Sequence, residues 1–430
     1  VGSLVVVGSG IAGHQAALAA KRANPKANVT IVTQEREPLY SACVLADYVA
    51  GEVPRERVFL SDWGSYERIG IQVLHGRRAK SLDPQRGILG LDDGTSLGFH
   101  NVVLATGSLP FRPPLPGVDL KGVHVLKTIE DADAIMASRG SRAVVVGSGP
   151  VGVEISLALR KRGWEVTMVE LLDRVLPRVF DRPISMSIQN HLEGMGIKIL
   201  LEEGIEAVEG DKKVEGVRTS QRSIGAQMVV MVAGMRPEVS LARQCGIRLG
   251  EQGGIWVDSS MRTSVQNVWA CGDCVESREL TTHRSGLFML WNNAKLQGEV
   301  AGSNAGGLNR TYRGSLNLTT LNLHKTAAAS VGLLEAELKE DEVATIHKRT
   351  LRGELFLVIK DGRIAGVQAL GEVERVGGLI SLIIKGVHVK DITEGRATAA
   401  GPSLSWPLRD VASGLRSISR CPSITLIEHN

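Results

Sequence analysis

Aromatic residues make up only 4% of these 430 residues, too few to build the stacking surface on which single-stranded nucleic acid is held. Long apolar runs are missing as well. Nothing reaches the ~18 consecutive apolar residues that read as a membrane-spanning helix, so no membrane insertion is expected. Charge of neither sign is concentrated: 50 Lys and Arg are scattered among 46 Asp and Glu, for a net charge of +4. Neither nucleic acid nor an anionic membrane surface is expected as a partner. Cysteine is sparse, five residues without regular spacing, which suits a reducing cytoplasm and not a disulfide framework. The chain opens on strand residues with no basic segment leading into an apolar one, so no export signal is expected and the expected location is cytoplasmic. A hydrophobic fraction of 43% over this length suits a globular protein of two or three domains.

What is present is a glycine pattern. Val5 to Val7 form a β-branched run of the kind buried in a parallel sheet, and Gly8, Gly10 and Gly13 follow at G-x-G-x-x-G spacing. Ile11 and Ala12 lie inside the motif, and an alanine-rich segment from Gln15 to Ala23 comes after it. That order predicts strand, tight turn and helix. Gly8 permits the turn, Gly10 lets the backbone approach a pyrophosphate, and Gly13 lets helix and strand pack closely, so that a diphosphate sits on the positive end of the helix. Val29 to Val32 predict the next strand. Glu35 follows about twenty residues past the motif, where a carboxylate accepts a ribose hydroxyl.

The motif occurs twice. Val144 to Gly149 repeat Val5 to Gly10 letter for letter, and Pro150, Val151 and Gly152 complete the second spacing before a helix expected over roughly Val153 to Lys161. The strand Glu165 to Val169 then ends in Glu170. A carboxylate there bonds a free 2′-hydroxyl and repels a 2′-phosphate, which favours NADH over NADPH. Arg174 lies close by and reads equally as a solvated loop arginine or as a phosphate contact.

Three further strands end in small or acidic turns. Val102 to Leu104 run into Ala105, Thr106 and Gly107, with a proline-rich linker from Pro110 to Pro116 beyond. Met228 to Val232 lead to Ala233 and Gly234, and Val268 to Ala270 lead to Cys271, Gly272 and Asp273. Two nucleotide motifs, two strand-ended Ala/Gly turns and a late Gly-Asp, in this order, resemble the FAD- and NAD(P)-linked pyridine nucleotide disulfide oxidoreductase superfamily. The resemblance covers about Val1 to Tyr312.

The resemblance implies an α/β fold of two Rossmann-like dinucleotide-binding domains of the three-layer ββα type, plus a smaller α+β C-terminal domain. The FAD domain would span 1–109 and 235–312, the NAD domain 110–234, and the C-terminal domain, expected to form a homodimer interface, 313–430. Alternation over Leu355 to Ile359 and Ile364 to Ala369 around a turn at Asp361, and helical spacing over Gly378 to Ile384, support strands and a helix in that last part. The last thirty residues, with Pro402, Pro407 and Pro422, show no motif. By resemblance, Gly8, Gly10, Ile11, Ala12, Gly13 and Glu35 hold the adenosine diphosphate part of FAD. Ala105, Thr106 and Gly107 pack near that cofactor, and Gly272 and Asp273 meet its ribityl chain. Gly147, Gly149, Pro150, Val151, Gly152, Glu170 and Gly234 would hold the nicotinamide dinucleotide, with Glu154 near the nicotinamide.

Cys43, within Pro38 to Tyr48, falls where the superfamily places a redox group over the flavin. A Cys-x(4)-Cys pair would mark a glutathione- or lipoamide-type reductase, but Tyr48 stands where the second cysteine would fall. A single cysteine resembles the coenzyme A disulfide reductases, persulfide reductases and NADH oxidases or peroxidases, so Cys43 is the candidate catalytic group toward a disulfide or persulfide. The peroxidase and oxidase branch carries a histidine at the position of Ile11, and its absence here disfavours that branch; His14, one turn along, reads as a helix-surface residue. The same stretch, through Tyr40, Leu45 and Ala50 to Glu52, resembles the flavin domain of NADH-dependent nitrite reductases and of rubredoxin or ferredoxin reductases. In those proteins the acceptor is a redox protein, and Cys43 would be a small buried apolar residue. A nucleotide-sensing flavoprotein is a third reading. Cys271 and Cys274 form C-x-x-C but lack further ligands for zinc or a cluster, so no metal is expected and packing is the reading for both.

Overall fold

Short runs of valine and isoleucine, apolar on both faces, become the strands of two parallel sheets. The computed structural model of the chain describes residues 2–338, 343–393 and 426–429; the stretch bearing Pro402, Pro407, Cys421 and Pro422 lies outside the described residues. The chain divides into two units. Val1–Val44, Val53–Pro110 and Met235–Leu316 form the first, and Leu45–Glu52, Phe111–Gly234 and Asn317–Asn430 the second.

In the first unit the parallel sheet orders its strands Val268–Ala270, Asn101–Leu104, Ser3–Val7, Asn28–Val32 and Ile71–Leu74. Val6, Ile31, Val103 and Leu104 are wholly buried in it, each contributing roughly 1.5–3 kcal/mol of apolar burial. Strand order runs outward in both directions from Ser3–Val7. The carboxyl end of that strand therefore opens on a crevice at a topological switch point, where open α/β sheets bind ligands. A three-stranded antiparallel ribbon, Ala79–Asp83, Ile88–Leu91 and Ser96–Gly98, is inserted in the same unit.

The second unit repeats this plan. Its parallel sheet runs Lys198–Leu200, Glu165–Val169, Arg142–Val146, Met228–Met231 and Val123–His124, with the ribbon Ile205–Glu209, Gly216–Thr219 and Ser223–Gly225. These are two Rossmann-like domains with an added ββ layer. A mainly antiparallel sheet of six strands from Leu318–Asn322 to Leu426–His429 completes the unit as its α+β part, with the helix Glu374–Lys385 packed on the strand Arg363–Leu370. The helix Leu45–Ala50 is counted with this unit because Tyr48 donates to Asp133 at 2.6 Å and Arg162 donates to the carbonyl of Val49 at 3.2 Å. Among the described residues no helix is long and apolar enough to cross a membrane.

Both motif helices start earlier than composition predicts. They run Ile11–Ala23 and Pro150–Lys161, so the last glycine of each motif lies inside the first turn and not before it. The reason is the strand behind it: Gly13 and Gly152 sit so close to Gly8 and Gly147 that a Cβ would stand 2.0 and 2.1 Å from their carbonyl oxygens.

The helix Trp291–Ala305 carries Gly298 and Gly302, with Gly306 next after its end, at i, i+4 spacing. These face the alanine stripe of the helix Ile11–Ala23. A Cβ at Gly298 would stand 2.3 Å from the Ala12 carbonyl oxygen, and one at Gly302 would stand 2.0 Å from that of Ala16. The two helices therefore touch through backbone, and alanine and glycine are demanded by distance and not by helix propensity. Gly302→Ala is expected to lower the thermal unfolding midpoint, at an overpacking cost of roughly 1–3 kcal/mol. Gly377→Ala, at an exposed helical position with nothing within 4 Å of the added carbon, should raise it by about 0.5–1 kcal/mol. Equal shifts in calorimetry would refute the backbone-contact account.

Candidate functional site

The first glycine turn is built by its neighbours. Gly8 donates its N–H to the Val32 carbonyl at 2.8 Å and holds φ +110°, and a Cβ there would stand 2.1 Å from the Ala105 carbonyl oxygen. Ala105 in turn donates to Val7 at 2.8 Å. The turns after the strands Ser3–Val7 and Asn101–Leu104 are thus locked against each other at the crevice. The helix Ile11–Ala23 starts with no side-chain cap and no acid in its first turn, and a Cβ at Gly10 meets nothing within 4 Å. Bare helical N–H groups beside open space are the donor set of an anion site. A diphosphate fits there.

Around that cradle, Glu35 is half-buried and its N–H bonds the Thr33 hydroxyl at 3.1 Å. Tyr40 donates to its carboxylate at 3.4 Å. Thr106 is tied by its hydroxyl to the Glu238 carbonyl at 2.6 Å, and Ser108 donates to Asp273 at 2.7 Å. Glu35 could take ribose hydroxyls and Asp273 a polyol hydroxyl. His14 is not the surface residue expected from its spacing: its Nδ1 lies 2.7 Å from the Tyr66 hydroxyl, and burial, with Arg22 and Lys295 adding, lowers its pKa.

The second turn repeats the geometry with one change. Gly147 bonds Val169 at 2.9 Å, the helix Pro150–Lys161 again lacks a side-chain cap and a first-turn acid, and Gly149 again opens on space. Pro150 pre-sets the first helical turn, where its missing N–H costs nothing. Val151 is exposed, and Gly234 holds φ +122° at the end of the neighbouring strand. In the first turn Ser9 bonds Thr33 at 2.9 Å. In the second the equivalent Ser148 gives Glu170 both its N–H at 2.9 Å and its hydroxyl at 2.7 Å, and Leu172 N–H adds a third bond at 2.9 Å. Oε2 receives two of these and Oε1 one, which leaves Oε1 with accepting capacity for a ribose hydroxyl.

Arg174 is largely withdrawn from solvent. Its guanidinium bonds Asp173 at 3.0 Å and the Pro177 carbonyl at 3.1 Å, and 18% of the side chain is exposed. Both partners belong to its own loop, so the solvated reading is corrected. Glu154, on the second helix, is pushed up to about 8 by burial, with the Asp47 charge adding. Asp47 is itself raised, by burial first and then by Glu52, while Lys161 opposes; Lys161 is paired to Glu52 at 2.5 Å.

The cysteines separate by environment. Cys43 is exposed, in a short turn held by Tyr40 bridging to Phe59 and by Ser41 N–H on the Val58 carbonyl at 2.9 Å. The reading of Cys43 as a buried apolar residue is therefore corrected. Cys271 and Cys274 are fully buried, and burial pushes both thiols up, Cys271 well above its ordinary value. Thiols so placed are inert. Among the described residues no group of three or more ligand-type side chains could hold a metal ion.

Sequence reasoning missed Thr33 and Ser108 in the first unit and Asp47 beside Glu154 in the second, all placed by tertiary contacts. Only Thr33 carried a signal, its place directly after the second strand.

Glu154 makes stability depend on pH. Its carboxyl keeps its proton in the folded chain up to about pH 8, whereas in the unfolded chain it loses it near 4.5. The unfolded state then binds fewer protons between these values, so stability falls as pH rises through the window. Glu154→Gln should flatten that fall in the FAD-free protein by on the order of 1–2 kcal/mol, read as unfolding midpoints at about pH 6 and about pH 8.5. An identical slope in the variant would show that the carboxyl is not held neutral.

Residues 2–298 match the pyridine nucleotide-disulphide oxidoreductase family. An NADH oxidase from Methanocaldococcus jannaschii is 31% identical over 93% of this chain and 94% of its own length. A nitrite reductase [NAD(P)H] from Bacillus subtilis is 29% identical over 99% of this chain, which spans 53% of that protein. Among solved structures, an NAD-dependent persulfide reductase from A. fulgidus superposes with a TM-score of 0.89 at 28% identity, over 96% of this chain and 84% of that one. The chain belongs to the pyridine nucleotide-disulphide oxidoreductase family and is an FAD-dependent NAD(P)H oxidoreductase.

Proposed function

We propose that the protein takes reducing equivalents from NADH through FAD to a disulfide or persulfide, with Cys43 as the group that meets the acceptor. The exposure of Cys43, set against the deep burial of Cys271 and Cys274, carries this reading. FAD, when bound, supplies the exchange between a two-electron hydride donor and the next carrier. The chain supplies the rest. The first glycine helix with Glu35 and Asp273 holds FAD, and the second with Glu170 holds the dinucleotide. The Cys43 thiolate attacks the acceptor's sulfur–sulfur bond, one sulfur leaves as a thiolate, and a mixed disulfide remains. Two electrons from NADH, relayed inside the protein, cleave it, releasing the acceptor's second sulfur as a thiolate and returning Cys43 to the thiolate. The likeness to a persulfide reductase over nearly the whole chain supports this choice.

The preference for NADH rests on Glu170, fixed by three donors at the end of its strand, and on Arg174 being held inside its own loop. A 2′-phosphate would meet a carboxylate, and the two like charges repel. A second reading is supported by the match of almost the entire chain to about half of a nitrite reductase. There the chain is the flavin module of an electron-carrier system, and a redox protein replaces the sulfur acceptor. The domain roles inferred above, 1–109 with 235–312 for FAD and 110–234 for NAD, and a homodimer through 313–430, belong to the same proposal.

Stopped-flow reduction of the bound flavin should be at least tenfold more efficient with NADH than with NADPH, and Glu170→Ala should narrow the gap. Equal rates in the wild type would dismiss the assignment of Glu170. Cys43→Ser should keep FAD and NADH-to-dye turnover, since hydride transfer to flavin needs no sulfur. It should lose disulfide and persulfide turnover by on the order of a hundredfold or more. Wild-type turnover with the sulfur acceptors would transfer the function to the electron-carrier reading.

A further inference from the structure

The Cys271–Asp273 turn carries the carboxylate proposed for the flavin's polyol chain, yet its first polar support comes from a distant helix. Gly272 N–H donates to the side-chain oxygen of Gln297 at 2.9 Å. The amide nitrogen of Gln297 reaches the hydroxyls of Ser277 and Ser315, each at 3.3 Å. Those two hydroxyls lie 2.8 Å apart, and Ser315 is also 2.9 Å from the Tyr312 hydroxyl. Gln297, Ser277, Ser315 and Tyr312 are 2%, 4%, 0% and 8% exposed. The set is a buried, closed network, and all four side chains belong to the first unit.

Within this network the glutamine amide has one allowed orientation. A peptide N–H on one side of Gln297 obliges its oxygen to face Gly272, and its two N–H groups must then face the serines. A buried glutamine satisfied in this way rigidifies what it holds, and left half-satisfied it costs more than an apolar side chain. A leucine would fill the volume equally well. What glutamine adds is a fixed peptide plane between Cys271 and Gly272, one residue before Asp273, whose carboxylate is held from the other side by Ser108 at 2.7 Å.

We propose that Gln297 is a positioning residue for the flavin: by fixing the Cys271–Gly272 peptide it orients Asp273 toward the cofactor's polyol hydroxyl. The proposal rests on the FAD site described above and adds a residue that touches no cofactor atom. Gln297→Met keeps size and removes both bonding functions. It should raise the FAD dissociation constant roughly ten- to a hundredfold, as expected when a buried N–H loses its acceptor, and should change the visible circular dichroism of the bound flavin. Gln297→Glu, assayed at about pH 5 where burial keeps the carboxyl protonated, keeps an oxygen against Gly272 N–H and an O–H toward the serines, and should restore the constant to within about threefold of wild type. If Gln297→Met does not fold, Tyr312→Phe removes only the outer link and should still raise the constant a few-fold with the fold intact. Wild-type FAD affinity and an unchanged flavin dichroism in the variant that folds would overturn the proposal, as would failure of Gln297→Glu to rescue. A wild-type chain that takes up no FAD would sink the flavin site and this inference together, whereas a variant that holds FAD as the wild type does sinks this inference alone.

Discussion

Both Rossmann-like domains are built around an uncapped helix N-terminus at the carboxyl end of a parallel strand. The first N–H groups of a helix have no partner of their own. At Ile11–Ala23 and Pro150–Lys161 the chain provides no capping side chain and no acid to occupy them. The space above each start is kept open by Gly10 and Gly149. To bring the helix that close, the backbone must pass its neighbours at contact distance, which places Gly8 against Ala105 and Gly147 against Val232. It also forces the alanine stripe of the first helix onto the glycines of Trp291–Ala305. The close approach at these helix starts thus dictates residue size as far away as the helix Trp291–Ala305.

The two copies of the motif then diverge in what stands behind the serine. Thr33 offers Ser9 a neutral hydroxyl, and the acid comes two residues later as Glu35. In the second copy Glu170 takes the place of Thr33 and spends much of its bonding capacity on Ser148 and Leu172. A carboxylate anchored by the glycine turn itself is held in place by three donors, and this is the structural basis of the proposed preference for NADH. The same unit holds Glu154 and Asp47 with Lys161 committed to Glu52, so burial and a like charge keep one carboxyl protonated near neutrality.

Polar groups buried behind the turns set their orientation. Ser108 and Gln297 hold the Asp273 turn from two sides, and Thr106 is tied to the Glu238 carbonyl. The buried thiols of Cys271 and Cys274 serve this packing, Cys274 donating to the Cys271 carbonyl at 3.3 Å. Cys43 differs from them in being exposed. Burial separates these cysteines, since a thiol withdrawn from water resists the ionisation that reactivity requires.

Local sequence determined the parts of this protein whose physics is local. Valine runs and the turns at Gly8, Ala105–Gly107 and Gly272–Asp273 read correctly as strands and strand ends because strand and turn are encoded within a few residues. Their repetition in order was enough for the fold class and for FAD with a nicotinamide dinucleotide. Helix starts were misplaced at Gln15 and Val153, because alanine content reports propensity and not the close approach that draws Ile11 and Pro150 into the first turn. His14, Arg174 and Cys43 could not be placed from spacing. Their environments come from Tyr66, from a loop folded on itself, and from the pairing of residues 39–41 with 58–60. Gln297 and the Gly298–Gly302 stripe lie far from the turns they serve, and only the packing of the helix Trp291–Ala305 brings them there. Contacts between residues distant in the chain leave no local pattern, so their meaning was decided by tertiary structure alone.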